Sequence, residues 1–270
     1  MCQVLKVSPS GYYAWACRAV SARDQSEGAL LRQIEQAFSA SHGSYGSPRI
    51  FAVLRHNGYS GSRSRIERLM RKYGLRAKGK KRFRVATTNS SHGRPVAPNH
   101  VAQDFNPERL NQVWASDVTY IDTAVGWLYL AVIIDLHSRA VVGWSMEGRQ
   151  SQDMIIAALK MAINRRNPGT GLMFHSDRGS TYVGERFVKV LKLHHIQQSM
   201  SGTGNCYDNA AVESFFHTLK TEHIDGRQFT TRQEARDSLF EWMEITYNRK
   251  RLHSTLGYRT PENFELFGRR

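Results

Sequence analysis

A chain of 270 residues, 40% of them hydrophobic, can build one sizeable domain and a smaller one; lacking an apolar run of about eighteen residues or a signal-peptide pattern, it is expected in the cytoplasm. Its three cysteines, Cys2, Cys17 and Cys206, show no CxxC spacing, which excludes a disulfide framework and a zinc site. The net charge of +15 sits almost wholly in residues 1–100, which carry 18 Lys/Arg against 4 Asp/Glu, and an excess so concentrated and rich in arginine points to nucleic acid as a partner.

Residues 1–23 read as a partial helical segment, in which "VLKVSPSGYYAW" gives a helix, a Ser-Pro turn and a second helix start. Residues 24–75 read as a small all-α domain. An amphipathic helix over 24–40 comes first. "SPRIFAVLRHNG" follows, with Ser47 as N-cap, Pro48 at the first helical position and Gly58 as the stop. "SRSRIERLMRKYG" repeats the pattern, with Ser62 or Ser64 as cap and Gly74 as stop. Two short helices joined by "NGYSG" form a helix-turn-helix candidate. The second presents Arg63, Arg65, Arg68, Arg71 and Lys72. A recognition helix in the DNA major groove has this composition, and so does a basic surface helix. The linker over 76–106 adds Lys80, Lys81, Arg82 and Arg84, and its first 25 residues contain no acid, so it suits an extended segment lying along phosphates.

From residue 107 the texture changes to an α/β domain that continues to 268. "VWASDVTYIDT", "GWLYLAVIIDLHS" and "AVVGWSM" are strand-like, with "AVG" turning between the first two. A helix capped by Ser151 and ended at Pro168-Gly169 is followed by the buried strand "GLMFHSD". Then come a helix over 185–194, the strand "IQQSMS", a Gly-rich loop, the helix in "GNCYDNAAVESFFHTLKTE" and a last long helix over about 231–248. Three antiparallel strands followed by alternating helices and strands predict a mixed five-stranded sheet with helices on its faces.

Asp117 lies in the first of these strands, Asp177 ends the fourth, and Glu213 lies on the helix after the fifth. That helix has an apolar stripe of Val212, Phe215, Phe216 and Leu219; Glu213 sits on its rim, with His217 and Lys220 in line. If the first and fourth strands are neighbours and the helix packs over their ends, the three acids converge. Asp122, Asp153 and Asp208 have ready structural work at a turn, a helix start and an N-cap. Asp135 ends a very apolar strand and is expected to pair with Arg139.

The order Asp117, Asp177, then 35 intervening residues before Glu213 and a basic residue seven further on, resembles the Asp-Asp-Glu motif of retroviral integrases and bacterial transposases. With "WASDVTYI", "VIIDLHSRAVVGW", "HSDRGSTY" and "YNRKRLHSTLGYRTPENF", the chain resembles the second-reading-frame (OrfB) product of insertion sequences of the IS-three family. It departs from the family at Thr181, where glutamine is frequent, and at Thr203, where a cation is.

The resemblance implies a ribonuclease-H-like integrase core behind the helix-turn-helix domain. It implies a DNA transposase that cleaves and joins strands at insertion-sequence ends with two Mg²⁺ ions, for which Mn²⁺ would substitute. Asp117, Asp177 and Glu213 would be both catalytic residues and metal ligands. Lys220 and His217 would join the basic residues named above in binding DNA, although a solvent-facing histidine would look the same. The implied partners are terminal inverted repeats, target DNA, further copies of the chain and the upstream-frame (OrfA) product, in a bacterial cytoplasm close to the nucleoid. Two rivals remain open on the residues alone, a non-catalytic DNA-binding regulator and a ribonuclease-H-type nuclease.

Overall fold

Residues 2, 4–18, 21–79, 96–103, 105–202 and 209–268 are described by the computed structural model, which falls into two units, 1–78 and 79–270. Lys80, Lys81, Arg82, Arg84, Thr203, Cys206 and Asp208 lie outside the described residues.

In the first unit, helices start where a serine can accept a backbone N–H. Helix α1 (Pro9–Ala16) is capped by Ser8, so the Ser-Pro pair opens this helix rather than separating two. Helix α2 (Ala22–Ala40) is capped by Ser21, and α4 (Arg63–Lys72) by Ser62, which accepts from the Arg65 N–H at 3.3 Å. Helix α3 (Ser47–His56) corrects the expected cap: Ser47 is already helical and the cap is Gly46, which offers no side-chain acceptor. Gly58 (φ +91°) and Gly74 (φ +71°) follow α3 and α4 in the left-handed region that favours glycine. Helices α2, α3 and α4 pack on one another around buried Ile34, Ile50, Leu54, Ile66 and Leu69.

The second unit is built on a sheet of β1 (Val113–Ile121), β2 (Leu128–Asp135), β3 (Val141–Glu147), β4 (Met173–Ser176) and β5 (Gln197–Met200), in the order β3-β2-β1-β4-β5. The first three strands pair antiparallel, and β4 pairs parallel with both β1 and β5. Helix α5 (Gln152–Arg166), capped by Ser151 as expected, and α6 (Glu185–Leu193) cover one face. Helices α7 (Ala210–Leu219) and α8 (Arg232–Glu241) cover the other.

Alternation along the strands divides the core between the faces. Val113 and Ala115 of β1, with Leu128, Leu130, Val132 and Ile134 of β2, join the α7 stripe residues in one cluster. Trp114, Ala131, Ile133 and Val142 join α5, α6, Phe174 and Tyr182 in the other.

The expected long C-terminal helix is differently built. It is α-helical as α8 and continues as a π-helical segment, Trp242–Lys250. A further helix, α9 (Pro261–Phe267), follows, capped by Thr260. Its start signal was present in the sequence as Thr-Pro-Glu but lay unread among the arginines and aromatics around it.

Gly143 lets α5 lie directly on β3: a Cβ there would stand 2.3 Å from the Ala158 carbonyl oxygen and 2.8 Å from the Ala162 Cβ. Gly143→Ala is therefore expected to destabilise the protein by about 1–3 kcal/mol in urea unfolding, as overpacked sites do. An unchanged midpoint would contradict this packing.

Candidate active site

The register of β1 on β4 does the first part of the assembly. Ala115 lies opposite His175 and Ser116 opposite Ser176, so the next residue of each chain segment is an aspartate on the same side of the sheet. Asp117 and Asp177 together line a cleft of about 360 Å³, with Tyr120, Tyr129, Gln150 and Thr181 on its walls. Asp177 Oδ1 accepts the Gly179 N–H at 2.9 Å, which fixes the first turn of the loop after β4. Asp117 Oδ1 accepts the Val118 N–H at 2.7 Å.

Withdrawal from water, and then the charge of Asp177, push the Asp117 carboxyl up to about 8; the Val118 N–H opposes this, Glu213 adds a smaller push and Lys220 a smaller relief. A buried carboxyl raised in this way beside a second aspartate suits a hard divalent cation, which offsets the repulsion and prefers oxygen ligands.

Glu213 arrives from the other direction. Val212, Phe215, Phe216 and Leu219 are buried against the β1 side of the sheet, which leaves Glu213 exposed at the rim of the helix. Its carboxyl is raised by partial withdrawal from water, and its charge reaches Asp117. The three acids do not close into one ligand set: no group of three or more His, Cys, Asp or Glu among the described residues stands ready to hold a metal ion. The structure thus brings Asp117 and Asp177 together and sets Glu213 beside the pair rather than in it.

Helix α7 ends at Leu219, and Lys220 opens a π-helical segment, Lys220–Ile224, that was not foreseen. The Lys220 ammonium lies 5.3 Å from the centroid of the Tyr120 ring, and Tyr120 is part of the cleft wall. Burial lowers its pKa while Asp117 holds it up, so the lysine is a cation directed at the acid pair. His217 keeps a buried Nε2 that has no hydrogen-bond partner.

Other acids have structural work. Asp135 is fully buried and accepts three backbone N–H groups, from Asn111, His137 and Ser138, at 2.7, 2.9 and 3.1 Å. The Arg139 guanidinium donates to the Phe105 carbonyl and to Asn106. Asp153 pairs with Arg186 at 2.6 Å. His175 is buried between Ser199 and Ser201. Sequence reading missed Tyr182, which lines the same cleft as the acid pair and whose buried hydroxyl meets Ser116 Oγ at 2.9 Å. Only its place in the "HSDRGSTY" run could have marked it.

The basic residues of α4 are less uniform than a stripe. Arg63 is exposed. Arg65 donates to Ser26 at 3.0 Å, and Arg71 pairs with Glu67 at 3.1 Å. Arg68 and Lys72 both reach the buried Glu27 of α2, and the Arg68 hydrogen bond leads in lowering the pKa of that carboxyl. At the other end of the chain, buried Arg251 forms a two-pronged pair with Glu222, both contacts at 2.7 Å, and so supports the core.

Two models described as "Integrase core domain" match residues 107–206 and 194–261, and one described as "HTH-like domain" matches residues 25–83. The chain is 43% identical over 267 residues to "Transposase InsF for insertion sequence IS3A" of Escherichia coli (strain K12), which covers 98% of this chain and 92% of that protein. It is 44% identical over 264 residues to "Insertion element IS600 uncharacterized 31 kDa protein" of Shigella sonnei, covering 98% and 97% respectively. A solved chain from the simian T-cell lymphotropic virus intasome in complex with PP2A regulatory subunit B56 gamma is similar in fold, with a TM-score of 0.50 at 16% identity over 85% of this chain and 73% of that one. The fold is α/β, a ribonuclease-H-like integrase core preceded by a helical HTH-like domain.

The raised Asp117 pKa carries a sign for stability. Between the ordinary carboxylate range and about 8, the unfolded chain ionises this group while the folded protein keeps it protonated, so folding loses stability as pH rises through that window. Without divalent cation, Asp117→Asn is expected to melt higher than the parent protein at pH 9, with an advantage that shrinks steadily towards pH 4. A difference that stays flat with pH in thermal melts would refute the coupling.

Proposed function

The chain belongs to the insertion-sequence transposases of the IS3 family, and we propose that it cleaves and joins DNA strands at insertion-sequence ends by metal-assisted phosphoryl transfer. The observation that carries the reading is the pair Asp117, within β1, and Asp177, just past the end of the parallel strand β4, with the Asp117 carboxyl pushed up to about 8 by loss of water and then by the Asp177 charge. Their oxygen-only donor set fits Mg²⁺, and Mn²⁺ is the natural substitute. When bound, a pair of such ions supplies Lewis acidity to the attacking and leaving oxygens of an in-line displacement. Asp117 and Asp177 would hold the ions together, and Glu213, beside them on α7, would complete the ligand set once DNA is present.

The chain's own residues account for the remaining work. Lys220, above Tyr120, steers a strand phosphate towards the acids, and His217 contacts the same strand. In the first step a water oxygen bonds to phosphorus as the P–O3′ bond breaks, which frees a 3′-hydroxyl. In the second, that hydroxyl attacks a target phosphodiester and a 3′-oxygen leaves. Both steps are one reaction with different nucleophiles, so no covalent protein–DNA intermediate is required. We assign end binding to the basic N-terminal third: Arg63, Arg65, Arg68, Arg71 and Lys72 on α4, and Lys80, Lys81, Arg82 and Arg84 beyond it. Assembly of several copies on two ends, cooperation with the upstream-frame product, and action in the cytoplasm near the nucleoid belong to the same proposal. Among the described residues no helix is long and apolar enough to cross a membrane.

The full chain, given a duplex bearing an insertion-sequence end, is expected to yield joined products with Mg²⁺ or Mn²⁺ and none with EDTA. Asp117→Asn, Asp177→Asn and Glu213→Gln should each cut joining by at least about a hundredfold. Nicks without joining would move the assignment to a nuclease, and binding with neither product to a regulator.

End binding is expected to weaken by orders of magnitude between about 50 and 200 mM salt, and Arg63→Ala should lower the log–log salt slope by about one. A salt-independent affinity would remove the phosphate-contact role of the N-terminal third.

A further inference from the structure

Ser116 is fully buried and immediately precedes Asp117 in β1. Two hydrogen bonds converge on it from the segments that bear the other acids. Its Oγ lies 2.9 Å from the hydroxyl of Tyr182, which closes the loop that begins at Asp177. Its backbone carbonyl accepts a longer bond, 3.4 Å, from the side-chain amide of Asn209, the residue that caps α7 one turn before Glu213. Strand alternation turns the Ser116 side chain to the face opposite Asp117. Tyr182 also lines the cleft beside the acids, and Asn209 opens the helix that bears Glu213, so the two ties reach Ser116 from different directions.

Both partners are themselves held. The Tyr182 ring is buried, 6.2 Å from Phe174 and 5.7 Å from Phe187 between centroids, which leaves its hydroxyl little freedom to leave Ser116. Asn209 is buried as well, and among the described residues its Oδ1 has no hydrogen-bond partner, while its amide nitrogen donates to β1.

We propose that Ser116, Tyr182 and Asn209 are positioning residues, with Ser116 as the common anchor that holds the Asp177 loop and the Glu213 helix in register with Asp117. This rests on the reading of the three acids as the metal site. A loop tied only by its own backbone could let Asp177 drift by about an ångström, enough to spoil shared coordination. The Tyr182–Ser116 bond also explains why a polar pair is buried in an otherwise apolar cluster, where unpaired hydroxyls would be costly.

The test is Mn²⁺ titration of the full chain, read as the rise in melting temperature and, independently, as the loss of free-ion signal in electron paramagnetic resonance. Tyr182→Phe and Ser116→Ala remove the same bond from opposite ends. Each is expected to raise the half-saturating Mn²⁺ concentration about tenfold, and the double variant no further, since the two share one interaction. Asn209→Ala should add its own increase on top, because it acts on a different tie. Metal-free melting temperatures of Ser116→Ala and Tyr182→Phe should fall, because each leaves a buried hydroxyl unpaired, and less so in the double variant. Mn²⁺ binding is therefore read by the free-ion signal well below every variant's melt, which separates positioning from general destabilisation. Asp117→Asn is the control. If it abolishes Mn²⁺ saturation while Ser116→Ala and Tyr182→Phe leave it unchanged, or if those two prove additive, the anchor is wrong and the acid site stands. If Asp117→Asn binds Mn²⁺ like the parent, the acid site itself is wrong and the anchor falls with it.

Discussion

Parallel pairing of β1 with β4 places Ser116 opposite Ser176, and the residue after each serine is an aspartate. It brings two carboxylates together at the edge of a low-dielectric core, where loss of water and then the charge of Asp177 raise the Asp117 pKa to about 8. Such an arrangement is unfavourable by itself and persists because the surrounding sheet is over-determined. β2 is buried almost throughout, and apolar clusters on both faces fix the strand register. A slip of one residue would turn every β1 side chain to the wrong layer. The strain is local, and the stabilisation that tolerates it is spread over the whole domain.

Strand alternation then divides the labour of β1. Positions 113, 115 and 117 face the α7 layer, and 114 and 116 face the α5–α6 layer. The acids consequently share a face with the helix that carries Glu213, while the Ser116 side chain, bonded to Tyr182, points to the opposite one. One nine-residue strand supplies both a reactive carboxylate and an anchor behind it, with no side chain required to do both.

Much of this was legible in the sequence, because the relevant signals are local. Ser151 and Ser62 cap helices as read, since a serine before a periodic apolar run has one dominant structural use. The five strands appear in order because β-branched and aromatic runs between turn residues have few alternatives. Gly46 is the cap although serine caps better and the position before Pro48 favours extended backbone, so local preference misplaces this boundary by one residue. Three features were not legible. The π-helical segments depend on tertiary packing that composition does not encode. The Tyr182–Ser116 bond joins residues 66 apart. The three acids could be named from their spacing, but spacing says nothing of the gap that leaves Glu213 beside the aspartate pair instead of within it.

Charge was the signal most easily over-read. Counting arginines credits each with a free charge, yet several also have acidic partners within the fold. Glu27 engages Arg68 and Lys72, Glu67 engages Arg71, and Glu222 takes both prongs of Arg251. The last pair is instructive. Glu222 lies in the π-helical segment opened by Lys220, and Arg251 caps the π-helical segment that ends at Lys250. A buried ion pair is weak evidence for stability, but it specifies register well, because leaving either partner alone in the core is costly. Here it fixes the wider winding that begins at Lys220, and with it the place from which that lysine meets Tyr120 and Asp117. Some of the basic residues thus serve the site by setting its geometry, and the cations available to a DNA strand are fewer, and more exactingly placed, than the formal charge implies.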